Sequence, residues 1–392
     1  MQTDRLPDYV FTLKPMTTNA FDISKKDAQA MPVAQLEPER FDFPRFEAHA
    51  AEADDHYAAF MGKNEGVAVW QRVRVGEVFR DGCREMAESL RWQLGGLRKS
   101  LAYKTDAPSY LEPWYGIGTT AASWGADYVW SEDQAPVTHR IYHSIDDVPE
   151  EPLYDFRQAQ ITRYTLDTIE YFLDATQGRL PMSWCDIQAP INVAGGGLVD
   201  VSQFFMAFYQ APDKIRRLLD ATGAVMTEFL DLQTELIGDA LARPGHGFAS
   251  SRRGVGVGLS TDNLIMLSPK MYEKYCLPAD VVIGEHFGGM ANHSCGNWGK
   301  WIGMLANNPN LIAVDGAFSP QTDPAYNQCE HFRDALADTS IILHARIVGD
   351  PDEVLARVKR LWKPGVKLIV VTYVQDLTAQ HQLYDDIHAI CS

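Results

Sequence analysis

The sequence predicts an α/β fold, a TIM-type (β/α)8 barrel that follows an N-terminal helical extension. Short apolar runs, typical of buried parallel strands, alternate with amphipathic helices from about residue 110 onwards. The segments between the runs are long enough for right-handed parallel crossovers. No G-x-G-x-x-G motif opens an early helix, which disfavours the dinucleotide-binding version of the alternative fold, an open doubly wound sheet.

The elements of the barrel can be placed along the chain. Strands are expected at residues 110–118, 181–186, 256–259, 290–294, 311–314, 341–345 and 368–373, and one more near residues 240–248 would complete the barrel. Helices are expected at residues 155–176, 202–209, 212–237, 269–287, 298–305, 324–336, 350–361 and 379–390. Two helix starts carry a capping residue followed by proline, Ser268-Pro269 and Asp350-Pro351.

Other segments do not follow the alternation. Residues 1–45 are polar and contain proline, which predicts an extension, whereas residues 46–104 have helical periodicity and predict a helical cap. The predicted division is therefore an extension and cap at residues 1–104 and a barrel at residues 105–392. Residues 128–142 are expected to form a hairpin insertion, and residues 195–197, all glycine, a mobile loop.

Composition excludes several classes of protein. The chain has 392 residues, 46% of them hydrophobic, and a formal net charge of −17. This acidity argues against a nucleic-acid partner, whose phosphates require a basic surface, and against an anionic membrane surface. No apolar run reaches the length of a membrane-spanning helix. The six cysteines show no disulfide framework, so we expect reduced thiols and a cytoplasmic location.

A histidine and a cysteine two residues apart form the most informative motif. His293 and Cys295 follow an apolar run and precede Gly296, which would let the chain turn away from a bound ion. At the end of a strand the two side chains would face the same way, and imidazole nitrogen and thiolate sulfur are ligands that zinc prefers. Spacing alone leaves open a buried cysteine beside a hydrogen-bonded histidine.

Two further residues are candidates for catalysis. Asp262 follows a predicted strand and could act as a general base or a metal ligand, or could cap a turn. His344 is expected at the end of a strand on the same face of the barrel, where it could donate a proton or be a satisfied core histidine.

Candidate substrate-binding residues form three groups. Arg252 and Arg253 precede a glycine-rich stretch and could bind an anion, although solvated arginines in a flexible loop are the more common outcome. Cys185 and Gln188, at the end of a predicted strand, could line a pocket. Trp114 could form an aromatic wall of that pocket, or simply belong to the core.

These residues also carry a resemblance to a known family. The sequence from about residue 105 to residue 390 resembles the uroporphyrinogen decarboxylase superfamily, and more narrowly its corrinoid-linked methyltransferase branch. The similar segments are Leu259-Ser260-Thr261-Asp262-Asn263, Leu267-Ser268-Pro269-Lys270-Met271-Tyr272, Leu277-Pro278 and His293-Ser294-Cys295-Gly296-Asn297.

The resemblance implies a TIM-type barrel with zinc held by a His-x-Cys pair and a later cysteine. His293 and Cys295 match the pair, but the last predicted strand, where the branch has its third ligand, contains Tyr373 and no cysteine. Zinc would then be completed by another donor such as Asp262, bound weakly, or absent. The arginine-containing N-terminal signature of the decarboxylase has no evident counterpart in this sequence.

Three functions follow as expectations. The leading one is a methyltransferase that moves a methyl group between a corrinoid carried by a partner protein and a thiol or other acceptor at a zinc site. The second is a metal-free decarboxylase or lyase that acts on a carboxylated substrate through Asp262 and the basic loop. The third is a non-catalytic protein that binds a tetrapyrrole or corrinoid.

Overall fold

A computed structural model of the chain describes residues 29–131, 134–150, 157 and 159–391. Its strands are β1 (Gly66–Gln71), β2 (Tyr128–Val129), β3 (Val137–Thr138), β4 (Val257–Ser260), β5 (Met290–His293), β6 (Leu311–Ala317), β7 (Ile342–Ile347) and β8 (Lys367–Thr372). Its helices are α1 (Phe43–Met61), α2 (Met86–Ser100), α3 (Thr119–Ala122), α4 (Gln160–Thr176), α5 (Pro190–Asn192), α6 (Val201–Gln210), α7 (Pro212–Ile237), α8 (Pro269–Tyr275), α9 (Leu277–Phe287), α10 (Gly299–Leu305), α11 (Cys329–Leu336), α12 (Pro351–Leu361) and α13 (Leu377–Ile390).

The larger sheet is parallel and has the strand order β1-β8-β7-β6-β5-β4. Two less regular segments close it into a ring. Leu111 pairs in parallel with Met182, and Gln188 pairs in parallel with Ser260 of β4, while the backbone N–H of Asp106 donates to the carbonyl of Val69 in β1. The closed ring of parallel strands, alternating with helices, is the predicted TIM-type barrel.

Burial explains why most strands were visible in the sequence. Strands β4 and β8 are buried along their whole length, which is typical of parallel strands covered by helices and requires continuous apolar runs. The two predicted helix starts are also confirmed. Ser268 accepts a hydrogen bond from the backbone N–H of Met271, and Asp350 forms a capping box with Glu353.

The cap before the barrel was only partly predicted. Residues 46–104 do contain α1 and α2, but β1 lies between them and pairs along its length with β8. Describing this region as helical was therefore wrong for residues 66–71, a short strand between two strongly periodic helices. The domain boundary at residue 104 stays a prediction. Strand β1, which precedes that boundary, belongs to the sheet of the barrel. Residues 1–28 lie outside the described part of the chain.

Several other expectations need correction. The helix expected at residues 269–287 is two helices, because Pro278 lacks a backbone N–H and restricts the residue before it. Residues 193–198 form a π-helical turn instead of a mobile loop. Its glycines allow close packing, since a Cβ on Gly195 would lie 2.4 Å from the ring of Phe204. The hairpin expected at residues 128–142 is confirmed by the antiparallel pairing of β2 with β3.

One carboxylate ties the beginning of the barrel to its end. Asp106 accepts hydrogen bonds from the backbone N–H of Val69, at 2.7 Å, and from the hydroxyl of Tyr384 in α13, at 2.5 Å. The imidazole of His388 lies 2.8 Å from the same carboxylate. None of the described helices combines the length and apolarity needed to cross a bilayer.

Replacing Asp280 with asparagine should flatten the pH dependence of stability. Burial raises the pKa of Asp280 to about 7, although the hydrogen bond from Tyr272 lowers it. Because this pKa lies above that of the unfolded chain, the folded protein holds the proton more tightly, and stability falls as pH rises. Between pH 5 and 7 we expect the wild type to lose about 2 kcal/mol relative to Asp280→Asn. Urea unfolding at several pH values measures this, and parallel curves for the two proteins would contradict it.

Candidate metal centre and active site

Three potential metal ligands meet at the carboxyl ends of two neighbouring strands. Asp262 follows β4, His293 is the last residue of β5 and Cys295 lies two residues further on. One ligand atom from each residue lies within 4.8 Å of the other two. The parallel pairing of β4 with β5, in which Ser260 is opposite His293, brings the three side chains together. In barrels of this type catalytic groups collect at this end of the strands.

His293 is held in a fixed orientation by a buried carboxylate. Its Nδ1 lies 2.5 Å from Oδ2 of Asp315 in β6, so the carboxylate accepts a hydrogen bond from Nδ1–H. The other nitrogen, Nε2, then faces the Sγ of Cys295 at 3.5 Å and Oδ1 of Asp262 at 3.7 Å. Burial lowers the pKa of His293, but the hydrogen bonds with Asp315 and Cys295 outweigh it and raise the pKa to about 10.

Asp315 is itself paired with a buried cation. The Nε of Arg346, in β7, lies 3.0 Å from Oδ2 of Asp315. Burial raises the pKa of Asp315, but the charge of Arg346 and the hydrogen bond with His293 outweigh it, and the net shift is downward. The aspartate is therefore ionised at neutral pH and can orient the imidazole.

The loop that carries Cys295 is fixed by two carboxylates. Oδ1 of Asp262 accepts a hydrogen bond of 2.7 Å from the backbone N–H of Cys295, and Oδ2 of Asp323 accepts one of 2.8 Å from that of Gly296. Gly296 has a φ of 71°, a left-handed conformation that favours glycine. The cysteine is exposed, whereas the other cysteines of the chain are buried. Its thiol is thus presented to the mouth of the barrel by a fixed backbone.

This donor set fits a zinc ion. Imidazole nitrogen, cysteine sulfur and carboxylate oxygen are the three kinds of protein ligand that zinc takes. An imidazole whose other nitrogen is bonded to a carboxylate is the usual arrangement of a metal-bound histidine. Catalytic zinc sites commonly have three protein ligands and leave a position for substrate or water. Asp262, His293 and Cys295 could therefore hold zinc with a position open to the mouth of the barrel.

The other cysteines are poorly placed to contribute. Cys329 is the first residue of α11 and Cys391 follows α13, and both are buried. Tyr373, expected near the position of the third ligand, follows β8 directly and is 6% exposed. It interacts electrostatically with the guanidinium groups of Arg72 and Arg346. Tyr373 therefore lines the mouth of the barrel.

Arg72 is a residue of the mouth that the sequence did not reveal. It follows β1, is 8% exposed and lies over the rings of Trp70 and Phe79. Within the described part of the chain it forms no ion pair shorter than 4.0 Å. Arg72 could not be placed without knowing that β1 is a strand, because the pairing of β1 with β8 brings residue 72 to the same end of the barrel as His293. The charges of Tyr373 and Glu112 stabilise this guanidinium, and its position at the mouth suits an anionic ligand.

A second cluster of charged side chains was also missed. His246 bonds to Glu112 through Nδ1, and its Nε2 lies 3.5 Å from Oδ2 of Asp186. Burial lowers the pKa of His246, but the two carboxylates outweigh it and raise the pKa. Trp114, predicted to line the pocket, donates to Oδ2 of Asp186 at 3.1 Å and packs edge-on against Phe79. The residues of this cluster are far apart in sequence, so no spacing pattern could reveal them.

Of the remaining predicted pocket residues, Gln188 lies beside the metal candidates and Cys185 does not. Gln188 accepts a hydrogen bond from Asn192, which also donates to Asp262. Cys185 instead packs against Phe229 of α7 and is hydrogen-bonded to Gln233, and burial raises its pKa to about 12. A strand was predicted at this position, but Cys185 lies in a bend between the isolated pairings of Met182 and Gln188, and its side chain packs against a helix.

The structure does not bring Arg252 and Arg253 to the site. Both precede β4, whereas Asp262 follows it, so the arginines lie at the opposite end of the strand. Arg252 pairs with the buried Asp54 at 3.1 Å, and Arg253 pairs with Asp55 at 2.6 Å. These ion pairs attach α1 to the barrel and leave both arginines away from Asp262.

His344 is also placed differently from the expectation. It lies inside β7 and not at the end of the strand, and only 1% of it is exposed. Its Nδ1 accepts a hydrogen bond from the backbone N–H of Ala249, and its ring packs edge-on against Phe248. Burial lowers the pKa of His344 to about 4, although Asp315 raises it. His344 is therefore a neutral core histidine at physiological pH.

Comparison with known proteins agrees with this architecture. A methyltransferase from Methanosarcina mazei superposes with a TM-score of 0.60 at 12% sequence identity, over 86% of this chain and 98% of that chain. At this identity the likeness concerns the fold. A B12-independent methionine synthase from Shewanella sp. W3-18-1, in complex with selenomethionine, has a TM-score of 0.36 at 9% identity, over 66% of this chain and 70% of that chain. A score that low carries no argument.

Sequence comparison assigns the family. No significant match to this chain is found among curated proteins. The uroporphyrinogen decarboxylase (URO-D) family model matches residues 113–367, which span most of the barrel and include Asp262, His293 and Cys295. The resemblance drawn from the sequence is thereby confirmed, and the chain belongs to the uroporphyrinogen decarboxylase family.

Proposed function

We propose that this protein is a methyltransferase that transfers a methyl group between a corrinoid, carried by a separate protein, and a thiol or similar acceptor at a zinc site. The observation that carries the proposal is the convergence of His293, Cys295 and Asp262, with the imidazole already oriented by Asp315. A histidine and a cysteine that served only to pack the core would not need an exposed thiol beside an imidazole whose orientation is fixed by a carboxylate.

Asp262 takes the place of the third ligand in this proposal. The branch that the sequence resembles uses a second cysteine, which this chain lacks at the end of β8. Asp262 lies on the neighbouring strand end and has its Oδ1 3.7 Å from Nε2 of His293. A carboxylate carries the same formal charge as the missing thiolate, so the total charge of the ligand set is preserved.

The residues of the site have separable tasks. Asp315 accepts a hydrogen bond from Nδ1–H of His293 and so leaves Nε2 as the nitrogen that would face the metal. Asp262 holds the backbone of Cys295 as well as offering a donor oxygen. Zinc bound by these residues would stabilise the thiolate form of a substrate thiol and thereby make it nucleophilic at neutral pH. Arg72, at the same mouth, could bind an anionic group of that substrate.

The corrinoid is assigned to a partner because this sequence shows no complete corrinoid-binding motif. Asp386 and His388 have the spacing of the first part of a D-x-H-x-x-G motif, but Cys391 occupies the position of the glycine. The structural likeness to a methyltransferase supports the barrel as a suitable framework for this chemistry. The corrinoid and its carrier remain part of the proposal.

Zinc content tests the proposal directly. We expect about one zinc per chain in the wild type purified without chelator, loss of that zinc in Cys295→Ser, and retention in Cys391→Ala. The latter is a matched control because it removes a buried cysteine far from the site. Elemental analysis of the three proteins provides the measurement. A wild type that takes up no metal after zinc addition contradicts the mechanism.

A metal-free decarboxylase is the second candidate, and the buried Arg72 is the observation that favours it. A buried guanidinium at the barrel mouth suits a carboxylated substrate. Arg252 and Arg253, the basic pair that the sequence offered for this role, lie at the other end of β4. Release of CO2 from a carboxylated substrate by both wild type and Cys295→Ser would support this candidate, whereas dependence on bound zinc would oppose it.

A further inference from the structure

A line of side-chain hydrogen bonds crosses the mouth of the barrel and ends on Asp262. We propose that Asn192 is a positioning residue for Asp262, and that Gln188 and Asp186 fix the orientation of Asn192. This inference rests on the proposed function, because Asp262 acts there as the third metal donor. The three residues would not touch the metal themselves. They would hold the carboxylate of Asp262 in one orientation and so make it an ordered ligand.

Asn192 contacts the segment that carries Asp262 in two places. Its Nδ2 donates to Oδ2 of Asp262 at 3.3 Å, and its Oδ1 accepts a hydrogen bond of 2.9 Å from the backbone N–H of Asn263. The other oxygen of Asp262, Oδ1, accepts from the backbone N–H of Cys295. Both carboxylate oxygens therefore have a donor, and the carboxylate cannot rotate without losing one of them.

The carboxylate of Asp186, at the far end of the line, determines the direction of the hydrogen bonds. Asp186 can only accept, so Gln188 must turn its Nε2 towards Oδ1 of Asp186, at 2.8 Å. Oε1 of Gln188 then faces Asn192 and accepts from Nδ2 at 2.8 Å. A reversed amide in Asn192 would set its oxygen against both Oε1 of Gln188 and Oδ2 of Asp262. The carboxylate of Asp186 thus selects the amide orientation that stabilises Asp262.

The far end of the line is itself fixed. Asp186 is 5% exposed, and its Oδ2 accepts a hydrogen bond from the indole of Trp114 and lies near the imidazole of His246. Asn192 is the last residue of α5 and directly precedes the tightly packed π-helical turn at residues 193–198. The side chain of Asp186 is therefore held by polar contacts and the backbone of Asn192 by packing, which is what a positioning role requires.

Metal affinity provides the test, with zinc alone as the probe in a chelator competition. We expect Asn192→Ala to bind zinc about 10- to 100-fold more weakly than the wild type, the usual effect of removing a residue that orients a ligand. Cobalt substituted for zinc should show an altered absorption spectrum in the variant. Gln188→Met, which removes the amide but keeps the volume, should shift zinc affinity in the same direction by a smaller factor.

A double-mutant cycle separates positioning from a general structural effect. In an Asp262→Ala background, Asn192→Ala should weaken zinc binding no further, because the ligand through which it acts is gone. Asn308→Ala is the matched control, since Asn308 is buried and its Oδ1 also accepts a backbone N–H, that of Asn310, but outside the site. It should bind zinc as the wild type does.

The outcomes also distinguish this inference from the proposed function. A wild type that binds zinc, together with unchanged affinity in Asn192→Ala or an equal loss in the Asp262→Ala background, overturns the positioning role and leaves the zinc site standing. A wild type that binds no zinc overturns the proposed function and the inference together. If Asn192→Ala does not fold, Gln188→Met carries the same comparison.

Discussion

Under the proposed function, replacing His293 with alanine should remove bound zinc and lower the rate of methyl transfer by about 10³-fold. The imidazole is preorganised in the site, because Asp315 accepts a hydrogen bond from its Nδ1–H. Loss of metal would remove several kcal/mol of transition-state stabilisation, and about 4 kcal/mol corresponds to this change in rate. The measurement is methyl transfer from free methylcobalamin to a small thiol, followed by the change in corrinoid absorption.

His286→Ala is the matched control for that variant. His286 lies in α9, which leads into β5, but it is about half exposed and pairs with Asp231 at 2.8 Å on the surface. The control should retain both zinc and activity. Full activity of His293→Ala in zinc-free buffer would show that the imidazole is not a metal ligand for the reaction.

Replacing Asp315 with asparagine should affect both the metal and the fold. The amide oxygen can still accept a hydrogen bond from Nδ1–H of His293, but the amide carries no charge, so the buried Arg346 loses its counter-ion. Breaking a buried pair in this way costs about 3–5 kcal/mol of unfolding free energy. Weaker orientation of the imidazole should also reduce zinc affinity by about 10- to 100-fold. Denaturant unfolding and zinc competition measure the two effects separately.

Asp334, an exposed aspartate with two cationic partners, provides the control for Asp315→Asn. Asp334 pairs with Arg333 and Lys363 at 2.9 Å each, and its side chain is 55% exposed. Asp334→Asn should change neither zinc affinity nor, to a resolvable extent, the unfolding midpoint, because solvent screens surface ion pairs. Equal stability of Asp315→Asn and the wild type would contradict the account of Arg346.

The fold was largely predictable because buried parallel strands leave a direct trace in the sequence. Strands β4 to β8 coincide closely with the expected apolar runs. β1 was missed because six residues between two periodic helices do not interrupt a helical pattern clearly. The segments around Leu111 and Met182 were predicted as strands, and in the structure they join the ring through isolated pairings. Pairing between distant segments cannot be read from local periodicity.

The site was predictable only where its residues are close in sequence. His293 and Cys295 stand two residues apart, and Asp262 belongs to a recognisable segment, so these three could be singled out together. Asn192, Arg72 and His246 could not, because their importance depends on which strand ends become neighbours. Arg252 and Arg253 show the opposite case, because this conspicuous basic pair lies at the end of β4 that is remote from Asp262.

The pairing of β1 with β8 has a consequence for how the chain reaches its native state. Gln71 and Thr372, whose side chains are hydrogen-bonded, are 301 positions apart, so the ring cannot close until nearly the whole barrel has been synthesised. Closing so long a loop is entropically costly and slow. Until then β1 and β7 present open edges on which another chain could add a strand. During biosynthesis, the interval before ring closure is therefore the period of greatest aggregation risk, and chaperone dependence should be concentrated there.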